Sequence, residues 1–223
     1  MSLARNAALA AGVAAVLCST GPARADQPAG AKKASKTGFT YLSDDQGPPE
    51  LVAAIKSRRA GGRLLNLDRV LLQSPNFAKG WNGMFAAIRN QLAVPGKLRE
   101  LAIMQIGVLN KAEYEWIQHE GEFLKAGGTR EQLQALRNGA AAEKGDLKLF
   151  DDSERATLAL TREMTQNIDV SPATLKRVRS LLPEAQVVEL IGTIAGYNMV
   201  SRFVVATGIE AEEPAPPEAG ARR

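Results

Sequence analysis

Residues 99–128, RELAIMQIGVLNKAEYEWIQHEGEFLKAGG, decide the fold class of this chain and carry most of its chemistry. Between Lys97 and Leu109 the apolar residues Leu101, Ala102, Ile103, Met104, Ile106, Val108 and Leu109 leave hardly any polar face, which predicts a helix buried on all sides. Asn110 can cap a second, amphipathic helix that Gly127-Gly128 ends. That helix carries Tyr114, Glu115, Trp116 and His119, the sole histidine of the chain. A spacing of four places Glu115 and His119 about 40° apart around a helix axis, close enough for their side chains to meet. Glu100, near the start of the apolar helix, is a carboxylate in apolar surroundings, and such a group is paired or has its pKa raised. An imidazole among carboxylates and aromatics is the one constellation here with evident acid/base capability. The same residues also have a purely structural reading, Glu100 as a first-turn residue that favours the helix dipole and Glu115 with His119 as an ordinary helix-surface pair.

Working outward, the pattern stays helical. Leu51, Ala54 and Ile55 form a short amphipathic face ended by Gly61-Gly62, and Leu64 to Leu72 forms a second short apolar segment. Ser74-Pro75 pairs a capping hydroxyl with a proline at the first helical position, and a helix follows through Trp81, Met84, Phe85, Ile88 and Leu92 until Val94-Pro95-Gly96 breaks it. Trp81 and Phe85 read as core. Thr129 and Gln132 form a capping box for a helix over 130–138; residues 139–149 read as a connection. Asp151 or Asp152 caps the next helix, through Leu158, Leu160 and Met164, and Ser171-Pro172 starts another. From Pro183 to about Ala206 the chain is most apolar, yet Glu184, Glu189, Asn198 and Arg202 interrupt it and argue against a membrane span. The fold class is all-α, with two helices apolar enough to pack centrally and to contribute to a subunit interface.

The two ends read differently. Arg5, the apolar run Ala7 to Leu17 and Ala23-Arg24-Ala25 form an export signal over residues 1–25, with cleavage after Ala25. The run is too short to span a bilayer, and Leu17 before Cys18 disfavours a lipid anchor. Residues 26–38 read as a flexible linker, 39–210 as one domain, and 211–223 as a disordered Pro/Glu/Ala tail. Cys18 is the only cysteine, so the mature chain is expected to have no disulfide, no thiol nucleophile and no CxxC pair. With one histidine and no cysteine a metal site is not expected either. The formal charge of +4 is concentrated in the ends, and the domain is close to neutral without a basic stripe, so no nucleic-acid partner is expected.

Three motifs carry a resemblance. RELAI at 99–103, YEWIQH at 114–119 and GYNMVSRFV at 196–204 together resemble the carboxymuconolactone decarboxylase family of the AhpD-like superfamily, over roughly Leu64 to Glu210. The resemblance implies an AhpD-like helical domain that assembles as a trimer or hexamer through its long apolar helices. The peroxidase branch of that superfamily uses CxxCxxxH with a glutamate one helix earlier; here His119 and Glu100 match, but the cysteine positions fall on Ala112 and Glu115. Thiol peroxidase chemistry is therefore not expected. The decarboxylase branch needs neither cysteine nor cofactor. It implies His119 as general acid, Glu100 as the carboxylate that orients it, and Glu115 as a second acid/base or substrate-orienting group. Tyr114 and Trp116 would bind a small-molecule substrate, with Arg202 meeting its carboxylate beside Tyr197 and Asn198, or Arg99 in its place. One departure is that the family's namesake works inside the cell, whereas this chain reads as exported to the periplasm or beyond. A non-catalytic exported binding or assembly protein on the same fold is the alternative.

Overall fold

A computed structural model describes residues 34–138 and 149–212, all within the larger of two units of the chain, Lys32–Arg223. The leader at 1–25, the linker up to residue 33, the connection over 139–148 and the tail beyond residue 212 lie outside the described residues. The helices are α1 (Pro49–Arg58), α2 (Asn66–Leu71), α3 (Pro75–Asn90), α4 (Gly96–Leu109), α5 (Glu113–Lys125) and α6 (Arg130–Arg137), then α7 (Asp152–Arg162), α8 (Pro172–Leu181) and α9 (Glu184–Thr207). A 3-10 turn, Ala60–Gly62, follows α1, and a π-helical turn, Glu163–Asn167, extends α7. Among the described residues β pairing is confined to one isolated bridge, Ala34 to Thr40. The fold is all-α.

The caps form where short polar side chains satisfy orphan amides. Thr129 Oγ1 accepts from the Gln132 N–H while Gln132 Oε1 accepts from the Thr129 N–H, both at 3.1 Å. Asp151, rather than Asp152, makes the same reciprocal pair with Glu154. A Thr129→Ala chain should lose about 1 kcal/mol of unfolding free energy in urea. Asn110 departs from its expected role, for it closes α4 and Ala112 precedes α5. Lys111 turns the chain with φ 55°, and the Asn110 amide reaches across to Asn198 Oδ1 at 2.9 Å and Ser201 Oγ at 2.6 Å on α9.

The apolar character of α4 has an internal cause. One side, with Leu98, Ala102, Ile103 and Ile106, belongs to the main core shared with α3 and α9; Leu101 and Met104 belong to a second core with Phe123, Leu133, Leu136 and Leu158. A helix between two cores has no face left for water. Helix α9 crosses close to α3 at Gly196, where a Cβ would lie 3.2 Å from Ile88 Cδ1, and the crossing sets Tyr197 edge-on to Phe85 at 5.5 Å. Packing runs past both expected domain limits. Thr37 Oγ1 donates to the Thr207 carbonyl at 2.6 Å, and at the other end Glu212 binds Tyr114. No helix among the described residues is long and apolar enough to cross a membrane.

Candidate active site

Helices α4 and α5 run side by side and bring Glu100 against His119. Glu100 Oε2 lies 2.7 Å from His119 Nδ1, and Arg99 Nε donates to Glu100 Oε1 at 3.3 Å. On the other side of the ring, Nε2 stands 3.6 Å from Glu115 Oε2. Glu100, Glu115 and His119 are all 2–3% exposed. The Tyr197 ring meets the imidazole edge-on at 5.1 Å.

These surroundings set the two carboxyls apart. Burial pushes Glu100 up, but the His119 hydrogen bond and the charges of His119, Arg89 and Arg99 outweigh it and hold the carboxyl below its ordinary value. Burial also pushes Glu115 up; there His119, Arg89 and Arg59 oppose it without reversing it, and Glu100 adds to it. Glu100 is thus the fixed anion, and an anion beside Nδ1 keeps the proton on that nitrogen. Nε2 is left facing Glu115. At 3.6 Å the two do not form a hydrogen bond, and among the described residues none reaches the Glu115 carboxylate. Both therefore have capacity for a third group.

That capacity opens onto a cavity of about 150 Å3 lined by Glu115, His119, Tyr197, Tyr114, Trp81 and Phe85, with Arg58, Arg59, Arg89 and Gln118 around them. A space of roughly 150 Å3 accommodates one benzene-sized ring. The Tyr197 hydroxyl makes no hydrogen bond among the described residues, and burial, followed by the Glu115 and Glu100 charges, raises its pKa against Arg89 and Arg59. It remains a neutral donor. Of the three guanidinium groups, Arg59 is neutralised by Asp68 at 2.6 and 2.9 Å. Arg58 has only the Asn82 amide at 2.7 Å, and Arg89 a distant Glu122 at 3.9 Å. Burial, then the neighbouring Arg59 and Arg89, lowers Arg58 to about 10, so it stays cationic at neutral pH. Two buried-side cations without close counter-ions form an anion-binding wall.

Depression of Glu100 has a consequence for stability. Its contribution is complete above about 4.5, its unperturbed value, and is lost as pH falls through the lower folded value. Acid unfolding followed by circular dichroism should show a limb below that pH which Glu100→Gln removes.

The model of the carboxymuconolactone decarboxylase family matches residues 75–162, from the start of α3 to the end of α7. Over that segment, less than half of the chain, the sequence is similar to this family. Glu100, Glu115 and His119 lie inside the family segment, whereas Tyr197 and the GYNMVSRFV motif lie beyond it. An uncharacterised peroxidase-related protein from Silicibacter sp. TM1040 superposes with a TM-score of 0.65 at 15% identity, over 82% of this chain and 96% of that one. The alkylhydroperoxidase AhpD core of a peroxidase-related protein from Ralstonia eutropha JMP134 gives 0.68 at 13%, over 78% and 92%. The debrominase Bmp8 in complex with 2,3,4-tribromopyrrole gives 0.66 at 17%, over 80% and 94%. At these identities the likeness establishes the AhpD-like fold. A search of curated proteins returned no match.

Of the residues singled out from sequence, the structure gathers Glu115, His119, Tyr114 and Tyr197 at the cavity, with Glu100 directly behind His119. Trp116 is not among them. It lies in the second core and stacks beneath Arg137, 4.0 Å from its ring centre, because one step along α5 from Glu115 turns a side chain by about 100°. Asn198 and Arg202 also correct the expectation. Asn198 is spent on Thr165, Ile194 and Asn110, and Arg202, exposed on α9, bonds back to Asn198. Arg99 holds Glu100 and does not line the cavity. Sequence reasoning missed Arg58, Arg89 and Gln118. Arg89 stands four residues after Phe85 and eight after Trp81, a charge extending an aromatic stripe, and Gln118 stands four after Tyr114. Arg58 had no comparable signal, as it joins the site only through the placement of α1.

Proposed function

We propose that this chain is a cofactor-independent acid/base enzyme of the carboxymuconolactone decarboxylase type, a carboxy-lyase-like catalyst acting on a small lactone or keto/carboxylic acid. The observation that carries the proposal is the Arg99–Glu100–His119–Glu115 sequence of contacts, buried on one side and open on the other to a ring-sized cavity with two weakly countered arginines. Thiol chemistry has no residue here, since Cys18 is the only cysteine and the positions of the peroxidase thiols are Ala112 and Glu115.

In this scheme Arg58 and Arg89 hold a substrate anion, and the substrate ring lies against Trp81 and Phe85. The bond from ring carbon to carboxylate breaks and carbon dioxide leaves. The electron pair moves through the conjugated system onto the carbonyl oxygen, where the neutral Tyr197 hydroxyl supplies a hydrogen bond. The enolate then takes a proton on carbon from the Glu115–His119 pair, and Glu100 stabilises the imidazolium form whenever His119 carries the second proton. Solvent restores the proton.

Arg58→Leu and Arg89→Gln are each expected to raise KM by about tenfold to a hundredfold with kcat largely kept, as for removal of a charge-assisted bond of about 1.5–3 kcal/mol. Steady-state kinetics would show a fall in kcat instead if the arginines acted on the bond-breaking step. The proposal itself is tested by screening lactone carboxylates and keto acids for carbon dioxide release, with His119→Ala as control. Absence of turnover across the panel alongside binding by calorimetry would leave a binding protein.

Export follows from the leader over 1–25, and N-terminal sequencing of the secreted chain should begin at Asp26. Assembly has a surface to use. Val188 and Met199 are exposed along one face of α9 with Gly192 and Ala195 between them, and light scattering should give a trimer or hexamer.

A further inference from the structure

Two residues that line the same cavity, Tyr114 and Gln118, also hold the chain's own C-terminal segment. Beyond α9, the Glu212 carboxylate accepts three hydrogen bonds: from the Tyr114 hydroxyl at 3.0 Å, from the Asn66 N–H at 2.7 Å and from Gln118 Nε2. Tyr114 is 5% exposed, and Tyr114 and Gln118 both line the cavity. All three donors are neutral, and no cation among the described residues pairs with this carboxylate. The segment is also held by buried Ile209, by the Asn66 amide on the Glu210 carbonyl at 3.0 Å, by the Tyr41 hydroxyl accepting from the Glu210 N–H at 3.2 Å and by a Lys36–Glu210 ion pair at 3.3 Å.

A carboxylate therefore sits on three converging donors, two of which, Tyr114 and Gln118, also line the cavity. We infer that Tyr114, Gln118 and the Asn66 N–H form a carboxylate subsite beside the cavity, that Glu212 fills it in the free protein, and that an anionic small molecule must displace the C-terminal segment to engage it. The inference rests on reading the cavity as the ligand site. The chemistry is generic to carboxylates. Three directional donors with no fixed cation match an oxygen pair that accepts hydrogen bonds, and a tethered glutamate competes at an effective concentration of the order of millimolar. Millimolar self-competition leaves the site open to a ligand that also gains the arginines, and closed to a weak anion that does not.

The test is calorimetry with succinate on the full chain, on Glu212→Ala, and on Glu212→Ala combined with Gln118→Ala, with uncharged succinamide as control. Glu212→Ala should bind succinate about tenfold more tightly than the parent chain, the added Gln118→Ala should remove most of that gain, and succinamide should show no difference among the three. Equal succinate affinity with and without Glu212, or a gain that survives Gln118→Ala, overturns the subsite. Because binding is read without turnover, this result stands or falls apart from the proposed lyase activity. Repeating the titration in a His119→Ala background keeps the two separate, since loss of the relay removes turnover and leaves the three donors in place.

Discussion

His119→Ala should lower turnover by about two to four orders of magnitude while the chain keeps its helical circular dichroism and its unfolding midpoint to within a few degrees. Removal of the imidazole takes away the only group that faces the cavity with one nitrogen and the Glu100 anion with the other. Glu100→Gln should cost less, about tenfold to a hundredfold, because it leaves the ring in place and removes only the charge that orients it. This ordering separates a proton relay from a packing role. If both side chains merely filled space, the isosteric Glu100→Gln change would be silent and His119→Ala would act through stability alone. A His119→Ala chain retaining more than about a tenth of its turnover contradicts the relay.

Glu115→Gln should do two things in opposite directions. Turnover should fall by about a hundredfold, since the cavity loses the carboxyl next to Nε2. Stability at neutral pH should rise by about 1 kcal/mol, as is common when a polar group retained for function is replaced. The pH dependence gives the signature. Burial raises the folded-state pKa of Glu115, so the folded chain binds its proton more readily than the unfolded chain does. The cost of the buried charge is absent below about 4.5, its unperturbed value, grows as pH rises through the folded value, and is constant above it. Urea unfolding at pH 8 should therefore favour the variant, and at pH 4 the two chains should unfold together. A variant less stable than the parent at pH 8 would show that Glu115 is held for the fold.

The helices and the centre of the site were legible because they depend on local pattern. Glu115 and His119 meet through helical spacing alone, and the Thr129, Asp151 and Ser171 caps follow from residue type. Glu100 was reachable because a carboxylate in a wholly apolar helix needs a partner. What could not be read is set by rotation and by distant chain. Trp116 has the composition of a site residue, but its azimuth on α5 aims it at the second core. Arg58 reaches the cavity, and Glu212 its wall residues Tyr114 and Gln118, through the docking of α1 and of the C-terminal segment, which no short-range spacing encodes. The apolar run of α4 invited an oligomer explanation that two internal cores supply by themselves.

The central claim is that Glu100 holds the imidazole with its proton on Nδ1 and presents a bare Nε2 to Glu115 and the cavity. With a single histidine in the chain, long-range 1H–15N spectra of the neutral ring report on this one residue. The account predicts a single species with a protonated, strongly hydrogen-bonded Nδ1 and an unprotonated Nε2. A ring protonated at Nε2, or one that exchanges freely between tautomers as a solvated imidazole does, contradicts it.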